Sequence, residues 1–389
     1  MTPPESDPQP LRVLHVYRTY FPETMGGLLE VVRQICHSTG ALGVSNRIFT
    51  LARNPNPTVL ERDEADVYRY PLHMEVLSMS ISATALGGFR ALVHWADVVN
   101  YHFPWPFADV LHVLGRVSTP SVLTYHSDIV KQRGLLLLYR PLMHWFLGRM
   151  GRIVATSPRY VETSPVLQRF AQKVEAISLA LDETTYRVPD PSAIAAVRKR
   201  VGEGFFLFVG VLRYYKGLDI LLDSVAGTNI RLVVAGTGPK EDSLKSRIAK
   251  QGLRNVTMLG FVTDDDKAAL MQLCKAIVLP SHLRSEAFGI VLLEGAMFGK
   301  PLISCEIGTG TSYVNRDGET GIVVAPRDAV ALRQAMVRLD EDAALAQRMG
   351  RGARARYESL FTGPVMGEQY VRLYERIARI SKSSSGVVP

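Results

Sequence analysis

Cysteine is scarce in this chain: 389 residues hold three, Cys36, Cys274 and Cys305. They follow no metal-binding spacing. Each sits in an apolar stretch and reads as a small buried hydrophobe. So sparse and odd a set excludes a disulfide framework and suits a reducing, cytoplasmic compartment. No uninterrupted apolar run reaches about 18 residues, so a transmembrane helix is not expected. Met1–Pro10 has neither a basic nor an apolar signal region, which argues against a secretory leader. No G-x-G-x-x-G follows the first strand, against a nicotinamide or flavin enzyme. No basic ladder studded with aromatics points to nucleic acid. No repeat of solenoid length is present. Acidic residues are missing from Ile129 to Val161, which carries Lys131, Arg133, Arg140, Arg149, Arg152 and Arg159.

What is present is a globular composition, 47% hydrophobic and 21% charged. The length exceeds one ordinary core and implies two domains. A net charge of +8 draws anions, either a phosphorylated substrate or an anionic lipid surface.

Strand and helix patterns alternate twice along the chain. The first run has strands expected at 11–17, 47–51, 98–102, 121–126 and 153–156, with a helix from the Gly26-Gly27 loop to about Ser38. The segment 185–191, with two prolines, reads as a linker. The second run has strands at 205–211, 230–236, 256–259, 276–280, 301–305 and 321–325, separated by helices. The expected organisation is therefore α/β: a disordered start at 1–10, an N-terminal Rossmann-like domain at 11–188 and a C-terminal one at 200–365. A helix at 366–380 returns to the first domain, and a disordered Ser/Gly tail covers 381–389. Two doubly wound halves imply ligand binding beyond the carboxyl ends of the strands, in a central cleft.

The candidate residues fall at those ends. Pro280 to Glu294 places Glu286 and Glu294 around Phe288-Gly289-Ile290. On one helix the two carboxylates would stand about 12 Å apart. That is too wide for two acids at one bond, which work at roughly 5–9.5 Å, and it suits two hydroxyl clusters on an elongated ligand. Arg213 and Lys216 follow a buried strand and can grip a diphosphate, or form a solvated loop. Gly26 and Gly27, and Gly236 within Ala235–Pro239, allow backbone to approach a ligand, or simply make turns. His126 ends a strand, where a polar residue faces the cleft; it is either functional or a structural histidine. His102 ends the preceding strand, beside Trp105; that aromatic loop is either a sugar-stacking platform or a packed corner. Asp264-Asp265-Asp266 looks like a D-x-D metal motif but reads first as an acidic helix start. The acid-free stretch, with Leu135–Leu138, Trp145 and Phe146, suits either a membrane-surface patch or a core helix with a basic outer face.

Together Gly26-Gly27, Val209-Gly210 to Lys216-Gly217, Ala235–Pro239, Glu286 to Glu294 and Gly299-Lys300-Pro301 resemble the retaining glycosyltransferases of family 4, from Val13 to about Tyr374. The resemblance implies the GT-B fold. It implies Gly27, Arg213 and Lys216 at the donor diphosphate, Glu286 at the donor sugar and Glu294 at the ribose. Amides of Phe288, Gly289 and Ile290 would line the donor, and His126 would lie near the transferred sugar. The family commonly has Arg directly after the loop glycine; here that residue is Val211, and Arg213 follows two positions later. Tyr101–Ala108, Thr124–Ile129 and Gly308–Asn315 look similar to bacterial mannosyl- and rhamnosyltransferases of surface polysaccharide assembly. This implies a GDP-sugar donor, a polyprenyl-diphosphate-linked saccharide acceptor, the inner membrane face and no metal or other cofactor. The alternatives are a UDP-sugar donor serving another glycolipid or exopolysaccharide, or a nucleotide-sugar-binding protein without turnover.

Overall fold

A computed structural model describes residues 9–76, 79–129, 133–186 and 188–385. The chain forms two compact units. The first takes in the described residues of Met1–Thr156, Ser164–Ile177 and Gly363–Pro389; the second takes in Ser157–Thr163 and Ser178–Thr362.

The first unit is built on an eight-stranded sheet. Its strands run Val174–Ala176, Arg152–Ala155, Ser121–Tyr125, Val98–Phe103, Arg12–Val16, Ser45–Ala52, Asp66–Pro71 and Val59–Glu61 across the sheet. All neighbours are parallel except Val59–Glu61, which lies antiparallel on Asp66–Pro71. Val98–Phe103 and Ser121–Tyr125 are buried at every position, as strands covered on both faces must be. Arg12–Val16 lies between Ser45–Ala52 and Val98–Phe103, where the strand order reverses. The last helix, Gly363–Ser385, rests on this sheet: Asn100 Nδ2 donates to the Tyr374 hydroxyl at 2.7 Å, and the Thr124 and Tyr370 hydroxyls lie 3.2 Å apart.

The second unit holds a wholly parallel six-stranded sheet, ordered Val256–Gly260, Leu232–Ala235, Phe206–Val209, Ala276–Leu279, Leu302–Cys305 and Gly321–Val324. Its order reverses between Phe206–Val209 and Ala276–Leu279.

Each strand expected from the apolar runs forms within two residues or so of its expected bounds. Three expectations differ. The linker at 185–191 ends in a helix, Pro191–Val201: the Asp190 carboxylate accepts the Ser192 N–H at 3.2 Å and Pro191 opens the first turn, so the proline starts a helix here. The last helix extends to Ser385, past the expected tail boundary at 381. Its outer face carries Arg372–Glu368 and Arg379–Glu375 pairs four residues apart. The E-x7-E segment is only partly helical: the helix is Ile290–Met297, begun at Gly289 with φ 83°, so Glu286 lies in the preceding loop. Residues 1–8 and 386–389, expected as disordered ends, lie outside the described residues.

Candidate active site

In the second unit, two loops leave neighbouring strands at the point where the strand order reverses. The loop after Phe206–Val209 carries Arg213 and Lys216; the loop after Ala276–Leu279 carries Glu286. Lys216 Nζ forms an ion pair with Glu286 Oε2, both side chains nearly buried. The Ser281 hydroxyl donates to the same oxygen at 2.9 Å, and the Thr309 hydroxyl donates to the Glu286 carbonyl at 2.8 Å. Burial opposes the lysine's charge, but the adjoining carboxylate outweighs it and raises the Lys216 pKa. Arg213 lies close enough for its charge to act on Lys216, yet it is exposed and makes no ion pair among the described residues.

This loop is held by backbone packing. Gly217 has φ 72°, and a Cβ there would fall 2.0 Å from the Pro280 carbonyl oxygen. Gly236 has φ 129°, and its Cβ would fall 2.1 Å from the Gly210 carbonyl oxygen. Gly236, expected as a turn or as a close backbone approach to a ligand, lies against the cation loop itself. Its missing side chain lets the turn after Leu232–Ala235 press on Gly210.

Glu294 sits on Ile290–Met297, 6% exposed. Its Oε1 accepts from Lys267 Nζ at 2.8 Å and from the Tyr186 hydroxyl at 3.1 Å. Oε2 makes no bond among the described residues. Phe288 is buried with its ring against Phe361, while the N–H groups of Phe288, Gly289 and Ile290 meet no acceptor among the described residues. Those unpaired amides open a helix, a setting that favours negative charge.

The first unit gathers three histidines. Register pairs His15 with Asn100 and His102 with Thr124. His102 is two residues beyond Asn100, and His126 two beyond Thr124. All three therefore share one sheet face along a diagonal. His15 Nδ1 lies 3.0 Å from His102 Nε2, and His102 Nδ1 lies 2.9 Å from His126 Nε2. The rings stack with centroids 5.3 and 5.2 Å apart. His15 Nε2 is 3.2 Å from Asn46 Oδ1. Burial pulls the His15 pKa down to about 4 and that of His126 to about 3. Burial also takes His102 well below its ordinary value, with smaller contributions from His126 and His15.

His102 and Trp105, expected either at a sugar-stacking platform or in a packed corner, are both buried. His102 is sealed between the other two imidazoles, 1% exposed. Trp105 is equally buried: its indole N–H donates to the Ser80 carbonyl at 3.0 Å and its ring stacks on Phe49, so the aromatic loop is a packed corner. Gly26 precedes helix Gly27–Gly40, and a side chain built there meets nothing within 4 Å. Asp264–Asp266 forms the first turn of helix Asp264–Leu273, where Thr263 caps the Asp266 N–H at 3.1 Å. All three cysteines are free and buried.

The acid-free stretch folds mainly as helix Arg133–Arg149. Leu137, Leu138, Arg140, Trp145 and Arg149 are exposed on it, and Arg149 lies over the Trp145 ring at 5.3 Å. Phe146 and Leu147 are buried. Lys131 lies outside the described residues, as do the side chains of Arg133, Leu135 and Leu136. Arg159 pairs with Glu162 at 3.3 Å. Among the described residues no helix is long and apolar enough to cross a membrane.

Comparison with known proteins places these features. Residues 191–356 match the family described as glycosyl transferases group 1, and residues 26–180 match a glycosyl transferase 4-like domain. The chain is 52% identical to the D-rhamnosyltransferase WbpZ of Pseudomonas aeruginosa, over 90% of this chain and 92% of that one. The chain belongs to the group 1 glycosyltransferases. It is also 44% identical to the O-antigen chain mannosyltransferase C of Escherichia coli, covering 94% and 98% of the two chains. Among solved structures, sucrose-phosphate synthase of Thermosynechococcus elongatus superposes with a TM-score of 0.77 over 94% of this chain and 99% of that one, at 21% identity. Anabaena HepE, in complex with UDP and glucose, gives 0.76 over 94% and 100%, at 18% identity. The fold is the GT-B fold of these glycosyltransferases.

Several residues of this glycosyltransferase's polar clusters escaped the sequence reading. Ser281 and Thr309 fix Glu286, Lys267 and Tyr186 engage Glu294, and His15 and Asn46 extend the histidine row. Only His15 left a signal, a histidine near the end of the first strand, as His102 and His126 are near the ends of theirs.

Proposed function

We propose that this glycosyltransferase moves a hexose, mannose or D-rhamnose, from a GDP-sugar to a polyprenyl-diphosphate-linked saccharide in O-antigen synthesis, with retention at the anomeric carbon. The observation that carries the reading is the cation loop facing Glu286 at the sheet's reversal point, two residues before the unpaired amides of Phe288–Ile290. The activities by which the two close relatives are named support the sugar and the pathway.

Transfer breaks the bond between the anomeric carbon and the donor's diphosphate. The leaving group gains negative charge while the carbon becomes oxocarbenium-like. Lys216 and Arg213 oppose that charge with preorganised cations, and the helix-start amides donate to phosphate oxygens. This arrangement meets a diphosphate without a metal ion. Glu286, already oriented by Ser281, takes hydroxyls of the transferred sugar. Glu294 offers Oε2 to ribose hydroxyls while Lys267 and Tyr186 hold Oε1. The Gly26-Gly27 helix start contributes unencumbered backbone on the first unit, and His126 contributes a ring nitrogen to the sugar. Helix Arg133–Arg149 holds the protein peripherally on anionic lipid at the cytoplasmic membrane face, where a lipid-linked acceptor resides.

A thermal-shift panel of GDP, UDP, ADP and their sugars tests the donor. A ligand at about 100 times its Kd adds about 2.7 kcal/mol. GDP and GDP-mannose are expected to give the largest shifts. Stabilisation by UDP and not GDP overturns the donor assignment. Radiolabelled transfer from the stabilising sugar nucleotide into membrane lipid tests the acceptor class.

A further inference from the structure

The histidine row has a direction, set at its inner end. Asn46 Nδ2 is 2.9 Å from the Cys36 carbonyl, which can only accept, so Nδ2 is the donor there and Oδ1 is the acceptor facing His15. The Thr39 hydroxyl gives its hydrogen to the Ile35 carbonyl at 2.8 Å and accepts from Asn46 Nδ2 at 3.1 Å, which supports the same orientation. His15 must then carry its hydrogen on Nε2. In a neutral imidazole this leaves Nδ1 as a lone pair. His102 Nε2 must donate to it, leaving His102 Nδ1 as the next lone pair, and His126 Nε2 must donate to that. Reversing any member puts two lone pairs or two hydrogens face to face. Such a clash in a buried row costs the desolvation of both groups. No carboxylate or cation hydrogen-bonds to the three imidazoles among the described residues, and burial keeps them neutral.

We propose that Asn46, His15 and His102 form a one-way hydrogen-bond relay that fixes His126 as the Nε2–H tautomer and presents its Nδ1 lone pair to a hydroxyl of the sugar substrate. Nδ1 has no hydrogen-bond partner among the described residues, and the His126 side chain is buried but for 5% of its surface. The use of Nδ1 rests on the transfer reading above; the direction of the relay does not. Asn46, His15 and His102 are positioning residues: they touch no substrate and act through His126. A ring locked this way greets a hydroxyl as an acceptor without first choosing a tautomer, so it selects a substrate group that can donate.

The test is long-range proton–nitrogen correlation on the full chain labelled with nitrogen-15 in histidine, at pH 7, with His126→Asn to identify the His126 signals. A single neutral tautomer with hydrogen on Nε2 is expected. A hydrogen on Nδ1, or an imidazolium, overturns the relay. In Asn46→Leu the inner acceptor is gone, and His126 should populate both tautomers. Turnover should then fall about tenfold, the loss of roughly one hydrogen bond, with GDP affinity unchanged. Asn46→Asp restores an acceptor for His15 and should return a single tautomer and most of the turnover. An unchanged tautomer in Asn46→Leu overturns the relay. Mixed tautomers with wild-type turnover overturn its use by the substrate. The wild-type spectrum decides the direction even where Asn46→Leu does not fold.

Discussion

The two units bury polar groups by opposite means. In the first, His15, His102 and His126 are kept neutral and satisfied by donating in turn. In the second, Lys216 and Glu286, and Lys267 and Glu294, meet as ion pairs. Low dielectric explains both. An isolated buried charge is costly, so a titratable row without counter-ions loses its protons, while a cation beside a carboxylate keeps its own. The difference matters for chemistry. A neutral row aims a lone pair. On the proposed donor reading, the cation of the charged pair is the group that meets the diphosphate.

The largest expected effect comes from pH and falls on the first unit. The unfolded chain takes up histidine protons near 6.5, whereas burial holds His15 to about 4 and His126 to about 3. As pH falls from 6.5 toward 4, the unfolded state binds protons that the folded state refuses, so stability is lost over that window. A tenfold drop in proton affinity is worth about 1.4 kcal/mol, so the buried imidazoles together cost several kcal/mol of stability by pH 4. Lys216 has a raised pKa, so its contribution holds below the usual lysine range and is lost only as pH rises through the folded value. Urea unfolding at pH 7, 6, 5 and 4.5 should show falling stability already between 6.5 and 5, before carboxylates titrate, and His126→Asn should flatten that slope. A flat wild-type profile there would erase the contrast between the units.

Next in size is Lys216→Ala. Loss of a preorganised charge aimed at a leaving group costs about 3–4 kcal/mol, so turnover should fall by at least about a hundredfold. The variant also strands Glu286 without its cation, so folding is checked by circular dichroism before turnover is compared. Near-normal turnover in a folded variant would make Lys216 a structural partner of Glu286 and nothing more. Activity in excess chelator belongs to the same experiment: it should persist, and loss restored by manganese or magnesium would show that the cation loop does not suffice.

Smaller effects should separate the two glutamates. Charge-assisted hydrogen bonds are worth about 1.5–3 kcal/mol. Glu286→Gln should lower turnover roughly ten- to a hundredfold with little change in GDP affinity. Glu294→Gln should weaken GDP about tenfold, near 1.4 kcal/mol, with a lesser effect on turnover. Because Lys267 also lies 3.5 Å from Asp264, it keeps one carboxylate in that variant. Titration of GDP by calorimetry beside a turnover assay gives both numbers. The opposite split would exchange the roles of the two residues.

How much of this was legible in the sequence follows from the range of each interaction. Parallel strands buried on both faces write themselves as apolar runs, so Val98–Phe103 and Ala276–Leu279 were readable. Short antiparallel edges were not: Val59–Glu61 is only three residues long, with exposed ends around a half-buried Leu60. Glu286, Glu294 and Lys216 were readable as a pattern with strand-end positions. Their partners were not, because Lys267 and Tyr186 reach Glu294 from 27 and 108 residues away. Trp105 left two readings open because an aromatic loop looks alike whether it faces a sugar or a core; its contacts with Phe49 and the Ser80 carbonyl lie beyond what sequence can show. The relay needed register, since only pairing His15 with Asn100 and His102 with Thr124 brings three distant histidines onto one diagonal.

The smallest expected effect per residue concerns the membrane and sharpens the contrast in another way, because it would use charge that makes no ion pair among the described residues. Leu137, Leu138, Arg140, Pro141, Trp145 and Arg149 are all exposed on helix Arg133–Arg149 and fall near one stripe at three- and four-residue spacing. Basic side chains near an anionic bilayer contribute about 1 kcal/mol each, and the leucines and Trp145 add apolar insertion. Arg152 and Arg159 should add little, since Arg152 turns back to the Gly151 carbonyl and Arg159 is engaged by Glu162. Binding to vesicles with anionic lipid should therefore drop on Arg140→Glu/Arg149→Glu and again on Trp145→Ser, while Arg159→Glu binds nearly as wild type. It should also weaken with salt, because exposed charges are screened beyond about 8 Å at physiological ionic strength. The nearly buried Lys216–Glu286 pair should feel the same salt far less, so GDP affinity and vesicle binding should diverge along one salt titration. Equal co-sedimentation of wild type and the double variant, or no preference for anionic over neutral vesicles, would return this helix to a basic outer face on a packed core.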